Sequence, residues 1–185
     1  MIVQGVKPFV FARNVNLGIV AAVEDDVVIL NDDALLETPG GFSQMQLLAK
    51  YRPEYGVISA ACDNVGNINQ HPRGDGLRDE PRMVCFVAAL IPRHVINMIG
   101  MLDQTFIDYG MDDDDYCLRA RSADLKIGIY DGCIVDHGKL KSSYRGDGPR
   151  DFRPNLKLFI EKYGVDNHGQ RRETSAFPEC FAPAV

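Results

Sequence analysis

A chain of 185 residues with 45% hydrophobic and 25% charged residues has the make-up of one well-cored globular domain. Its 20 basic and 26 acidic side chains give a formal charge of −6 with no basic stripe, which argues against a duplex nucleic acid partner. The longest apolar run, residues 83–91, stops at Pro92 and is too short to span a bilayer. The N-terminus lacks the layout of a signal peptide. Cys62, Cys85, Cys117, Cys133 and Cys180 form an odd, scattered set without a C-x-x-C pair. They read as reduced thiols of a cytoplasmic protein, with neither a disulfide frame nor a zinc site.

In chain order, residues 11–22 carry apolar side chains at helical spacing. Residues 27–30 are a β-branched run, predicted as a central buried strand, ending in Asn31-Asp32-Asp33. Thr38-Pro39 predicts a helix start, with Thr38 as cap and the helix running to Lys50. Residues 56–60 form another buried strand. Residues 62–82, rich in Gly, Asn, Asp and Arg, are expected to be a long loop or loose hairpin. Residues 83–91 predict a strand, and residues 93–100 a short helix. Residues 126–130 and 133–135 predict two strand pieces closing at Asp136-His137. Residues 138–150 are basic and Gly-containing, and with residues 62–82 they are expected to be mobile lids. Residues 155–163 predict an amphipathic helix ended by Gly164. Residues 165–185 lack periodicity. Alternating strands and helices predict a three-layer α/β/α domain with a mixed sheet, occupying the whole chain from 1 to 185.

The most informative stretch is Asp112-Asp113-Asp114-Asp115, followed by Tyr116, Cys117, Ala120 and Ala123 at helical spacing. Four adjacent carboxylates at a helix N-terminus are favoured by the helix dipole and the free N–H groups. They read either as an ordinary acidic cap with solvated carboxylates or as groups held together for a cation or a proton in transit. Asn31-Asp32-Asp33 and His137 also sit at predicted strand ends, where open α/β sheets bind ligands. Carboxylates with one imidazole suit Mg²⁺ or Mn²⁺, and such a cation is usually paired with phosphate. Lys139, Lys141 and Arg145 follow His137 and are candidate phosphate contacts.

Taken together the pieces resemble family 2 glycosyltransferases of the GT-A fold. Phe11-Ala12-Arg13-Asn14, with Gly18, Ile19 and Ala22, is similar to their donor-side helix. Val28 to Asp33 is similar to the strand ending in a D-x-D-type motif. Gly100 to Gln104 with Phe106, then Tyr109-Gly110-Met111-Asp112-Asp113-Asp114-Asp115-Tyr116-Cys117-Leu118-Arg119, resemble the family's glycine-to-arginine block. Val135-Asp136-His137 resembles its late histidine. The resemblance covers residues 10–165. It implies a metal-dependent transferase moving a sugar from a nucleotide-diphosphate sugar, UDP in the simplest case, to a hydroxyl acceptor with inversion. Asp33 and His137 would hold the metal, with Asn31 in place of a first acid and therefore weaker binding. Asp113 would be the base and Asp112 would hold the acceptor hydroxyl. The family's βαβ nucleoside-binding unit would precede Phe11, so the resemblance is to an N-terminally truncated domain. It implies weak nucleotide binding by this chain alone and self-association through an uncovered sheet edge. The alternative is a non-catalytic relative that binds sugar, metal or a partner protein.

Overall fold

Every residue of Tyr55–Cys62 is buried, and the sheet is assembled around that strand. The computed structural model describes residues 1–74, 76–140 and 151–171. Its elements are α1 (Phe11–Ala21), β1 (Val27–Leu30), β2 (Leu35–Leu36), α2 (Gly41–Tyr51), β3 (Tyr55–Cys62), β4 (Leu77–Glu80), β5 (Ala88–Ile91), α3 (Arg93–Ile99), α4 (Asp112–Ser122), β6 (Lys126–Asp136) and α5 (Arg153–Tyr163). The fold is mixed α/β. The strand order is β1-β5-β3-β6-β2, with β4 pairing β6 beside β2. β3 and β6 run parallel and the other pairs are antiparallel, so the sheet is mixed.

Strand periodicity sends alternate residues of β3 to opposite faces. Val57 and Ala61 join a core with Ala12, Ile19, Val95, Tyr116 and Ala120 from α1, α3 and α4. Ile58, Ala60 and Cys62 join a second core with Met45 and Ala49 of α2. Helices therefore cover both faces. A smaller cluster of Phe106, Met111 and Phe159 ties α5 to the approach to α4. No helix among the described residues is long and apolar enough to cross a membrane.

Four local expectations need correction. β1 is an edge strand of the described sheet, not a central one, and Leu30 is 43% exposed. Its apolar run reflects one buried position, Ile29, while β3 holds the centre. Residues 62–82 are not a loose loop. They contain a 3₁₀ turn (Ile68–Gln70) and strand β4. Buried Asn67 donates to the Met83 carbonyl, and buried Gln70 bonds Ser59 and both backbone groups of Cys85. Polar side chains do the anchoring there, so the absence of apolar residues misleads. Thr38 does not cap α2. Its Oγ1 accepts from Ile134 N–H at 3.0 Å, and Gly40 at φ +72 precedes the helix. Residues 83–87 are not strand, and β5 begins only at Ala88.

The two strand pieces expected at 126–135 are one strand, β6, whose parallel register with β3 slips between Tyr130 and Ile134. Asp131 sits in that irregularity and takes a bidentate pair from Arg78, at 2.6 and 3.0 Å. The segment 141–150, with Lys141 and Arg145, lies outside the described residues, as does Cys180.

α1 hides one polar residue that its helical pattern did not single out. Asn16, 4% exposed, donates to the Leu102 carbonyl at 2.8 Å and accepts from the Leu102 N–H at 3.0 Å. Asn16→Ala leaves both groups of Leu102 buried and unpaired. It is expected to cost about 2–3 kcal/mol in denaturant unfolding, since each orphaned buried group costs about 1–3 kcal/mol. A loss well under 1 kcal/mol would mean that water replaces the amide.

Candidate functional site

β1, β3 and β6 end on the same edge of the sheet, and β5 begins there. Leu30 is opposite Ala88, Asn31 N–H bonds the Val87 carbonyl at 2.9 Å, and Cys62 is opposite Val135. The strand ends Asn31-Asp32-Asp33, Asp63-Asn64 and Asp136-His137 consequently meet, as does the segment entering β5.

His137 is held from three sides. Its backbone N–H donates to Asp63 Oδ1 at 3.0 Å, and its carbonyl accepts from Asn64 Nδ2 at 3.2 Å. Its ring Nδ1 lies 3.0 Å from the Asn64 carbonyl oxygen. A carbonyl only accepts, so Nδ1 carries hydrogen, and in the neutral ring Nε2 presents a lone pair. Nε2 faces Asp33 Oδ1 at 3.1 Å and accepts from Asn31 Nδ2 at 3.4 Å. Asn64 reaches this clamp at φ +50, a left-handed conformation that Asn tolerates better than most residues. The sequence expectation named Asp33, His137 and Asn31, and the structure brings all three together. It missed Asp63 and Asn64. Reading the end of β3 with the same attention as the end of β1 would have found them.

The cluster offers one anionic oxygen and one imidazole nitrogen oriented by a backbone carbonyl, and Asn31 would join them as a ligand only by turning its amide oxygen inward. A backbone partner on the second ring nitrogen is the usual support of a metal-bound histidine. Among the described residues no group of three or more His, Cys, Asp or Glu side chains is placed to hold a metal ion. The set therefore does not fit a closed structural site. So few side chains could hold only a cation that keeps waters and takes outside oxygens as further ligands, as Mg²⁺ and Mn²⁺ do.

Lys139 is engaged by Asp136 at 2.7 Å and Glu37 at 2.6 Å. Its ammonium pKa is raised by these two carboxylates, and that of Asp136 is lowered by Lys139. Asp136 also receives the N–H groups of Gly138 and Lys139 at 2.9 Å.

The acidic run opens α4, as expected. Gly110 at φ +82 and Met111 at φ +70 turn the chain into the helix. The four carboxyls divide into different environments. Asp115 is fully buried and ionically satisfied, with Arg119 at 2.8 Å, Lys162 at 2.6 Å and the Tyr163 hydroxyl at 2.6 Å. Asp114 faces Arg82 at 3.5 Å. Asp113 accepts the Asp114 N–H at 3.0 Å. Asp112 is 5% exposed, and its Oδ1 has no hydrogen-bond partner among the described residues.

Burial pushes the Asp112 carboxyl up to about 8, and the charge of Asp113 adds to that. Asp114 is pushed up to about 8 by burial and then by Asp113, against the pull of Arg82 and Arg121. Burial also raises Asp113, opposed by the backbone N–H groups of Asp114, Asp113 and Phe86 and by Arg82. The two halves of the site flank a pair of thiols. Cys62 is pushed up to about 12 by burial, followed by Asp63, Cys85, Asp136 and Asp33. Cys85 is pushed up to about 12 by burial and then by Asp113. Both are free and protonated, hence poor nucleophiles.

These shifts fix the sign of a pH dependence. Carboxyls with raised folded-state pKa values bind more protons folded than unfolded. Their contribution to stability is full below about pH 4 and is lost progressively towards about pH 8. The melting temperature is therefore expected to fall as the pH is raised from about 5 to about 8. Asp112→Asn removes one of the titrating groups. It should melt close to wild type at the acid end and above it at the alkaline end. Parallel profiles for the two proteins would place the Asp112 carboxyl at an ordinary pKa.

No family model matches the chain, and no curated protein matches it.

Proposed function

We propose that the chain is a GT-A-like, metal-dependent glycosyltransferase domain of the family 2 type, with a three-layer α/β/α organisation. One observation carries the reading. His137 Nε2 meets Asp33 Oδ1 at 3.1 Å and Asn31 Nδ2 at 3.4 Å at the strand ends, and Asp113 of α4 lies by the N–H of Phe86, in the segment that enters β5 at that edge. Transfer from a diphosphate to a hydroxyl needs a cation at the leaving group and a base at the hydroxyl, and these residues are suited to the two tasks.

Asp33, His137 and Asn31 would hold Mn²⁺ or Mg²⁺, which when bound offsets the charge of the departing diphosphate. Asp112, with its unpartnered oxygen, would accept a hydrogen bond from the acceptor hydroxyl and orient it. Asp113 would take the hydroxyl proton as the acceptor oxygen bonds the sugar's anomeric carbon and the bond from that carbon to the diphosphate oxygen breaks. A raised pKa makes Asp113 a stronger base than a free carboxylate. Lys139 would contribute to the diphosphate only after leaving Asp136 and Glu37, and Lys141 and Arg145 would join it. Single displacement by one base implies inversion.

The second reading is a non-catalytic sugar-, metal- or partner-binding domain. β1 pairs only with β5 among the described residues, which favours it, because a strand edge left open is a ready place for a further chain or a second copy. Thermal unfolding with UDP, with and without Mn²⁺, separates the two. A ligand at about 100 times its dissociation constant adds about 2.7 kcal/mol. The transferase reading expects UDP to stabilise only when Mn²⁺ is present. Indifference to UDP in the presence of Mn²⁺ supports the second reading.

A further inference from the structure

A second hollow lies away from the Asp33–His137 cluster, between the β4–β5 connection, α4, α5 and residues 165–169. It encloses about 260 Å³. Asp114, Leu118 and Arg121, spaced by four and three residues, present one face of α4 to it, as helical geometry requires. Leu118, Phe159 and Val165 supply apolar wall from the cluster that anchors α5.

The charged groups are unevenly satisfied. Arg82 faces Asp114 at 3.5 Å and donates to the Asn167 carbonyl at 2.9 Å. Arg121 donates to the Pro81 carbonyl, but its Nε–H is buried with no partner among the described residues. A guanidinium carries five N–H donors and cannot shed its charge. Asp114, with its carboxyl pushed up to about 8, carries little compensating negative charge near neutral pH. Asp166 also lines the hollow, but its Oδ1 accepts the N–H groups of His168 and Gln170 at 2.9 Å. Beside it, two guanidiniums and an unmet donor in a partly apolar hollow suit an oxyanion attached to an apolar body.

We propose that this hollow binds a small organic oxyanion, its charged group on Arg121 and Arg82 and its apolar part against Leu118, Phe159 and Val165. The proposal does not depend on the transferase reading, and its probes contain neither nucleotide nor metal.

Calorimetry on the whole chain at neutral pH tests it, with benzoate and phenyl phosphate as anionic probes and benzyl alcohol as the uncharged one. At least one anionic probe should bind at about 1 mM or tighter, and the alcohol about tenfold more weakly or not at all. Arg121→Gln should weaken the anion about tenfold or more, and Leu118→Phe, which fills the hollow from its wall, should do the same. Thermal unfolding establishes that each variant is folded. The proposal is overturned if neither anion binds, if the alcohol binds equally well, or if both folded variants bind the anion as wild type does.

Discussion

Asp115→Asn should cost this fold about 3 kcal/mol, the lower end of the range for breaking a buried ion pair from one side. Asp115 is fully buried, and its two oxygens collect Arg119, Lys162 and Tyr163 from both ends of the 48-residue interval between α4 and the end of α5. An amide in its place offers one acceptor oxygen and turns N–H groups towards donors. The loss is held to the lower end because the cations keep other partners. Arg119 still bonds the carbonyls of Ile99 and Met101 at 2.7 and 2.9 Å, and Lys162 still pairs with Asp103 at 2.8 Å. In a domain of this size the melting temperature should fall by about 6–12 °C. Tyr163→Phe removes one hydrogen bond and should cost about 1 kcal/mol. An Asp115→Asn protein as stable as wild type would show that the acidic run is not fastened to α5 through this residue.

Asp113→Asn should reduce sugar transfer by about 100-fold or more, the scale of a lost general base, with donor binding little changed. The expectation rests on position as much as on proton affinity. Asp113 stands at the first turn of α4, near the N–H of Phe86, on the side of the helix away from the Asp115 ion pairs. Asp114→Asn is the informative control, because Asp114 faces Arg82 in the hollow between α4 and α5. It should retain most of the activity. Full turnover in Asp113→Asn, with loss in Asp112→Asn or Asp114→Asn, would move the base to a neighbour.

Much of this architecture was legible from periodicity. The helices at 11–21, 93–99, 112–122 and 153–163 follow apolar spacing and, for the last, the terminating Gly164 at φ +69. The convergence of Asp33 and His137, 104 residues apart, was legible because strand ends on one side of an α/β sheet meet whatever their separation. What failed was sheet position and everything fastened by polar side chains. Four residues of Val27–Leu30 read alike whether central or at an edge, since the difference lies in the neighbouring strand. The anchoring of residues 62–82 by Asn67, Gln70 and Arg78 gives no periodic signal. Nor did the sequence divide the four acids. Asp115 differs from Asp113 only through Arg119, Lys162 and Tyr163, and two of these come from a helix about 47 residues later.

Asn31, Asp33 and His137 are proposed to form a divalent-cation site. Titration of Mn²⁺ followed by electron paramagnetic resonance, which distinguishes free from bound ion, tests it without assuming any sugar, acceptor or activity. The wild-type chain should bind one Mn²⁺ saturably, more tightly when UDP is present. His137→Ala and Asp33→Asn should each weaken binding about tenfold or more, the scale of a lost ligand or ligand support. A wild-type chain that leaves Mn²⁺ free in the presence of UDP, or folded variants that bind it as wild type does, would rule out a cation site at these residues.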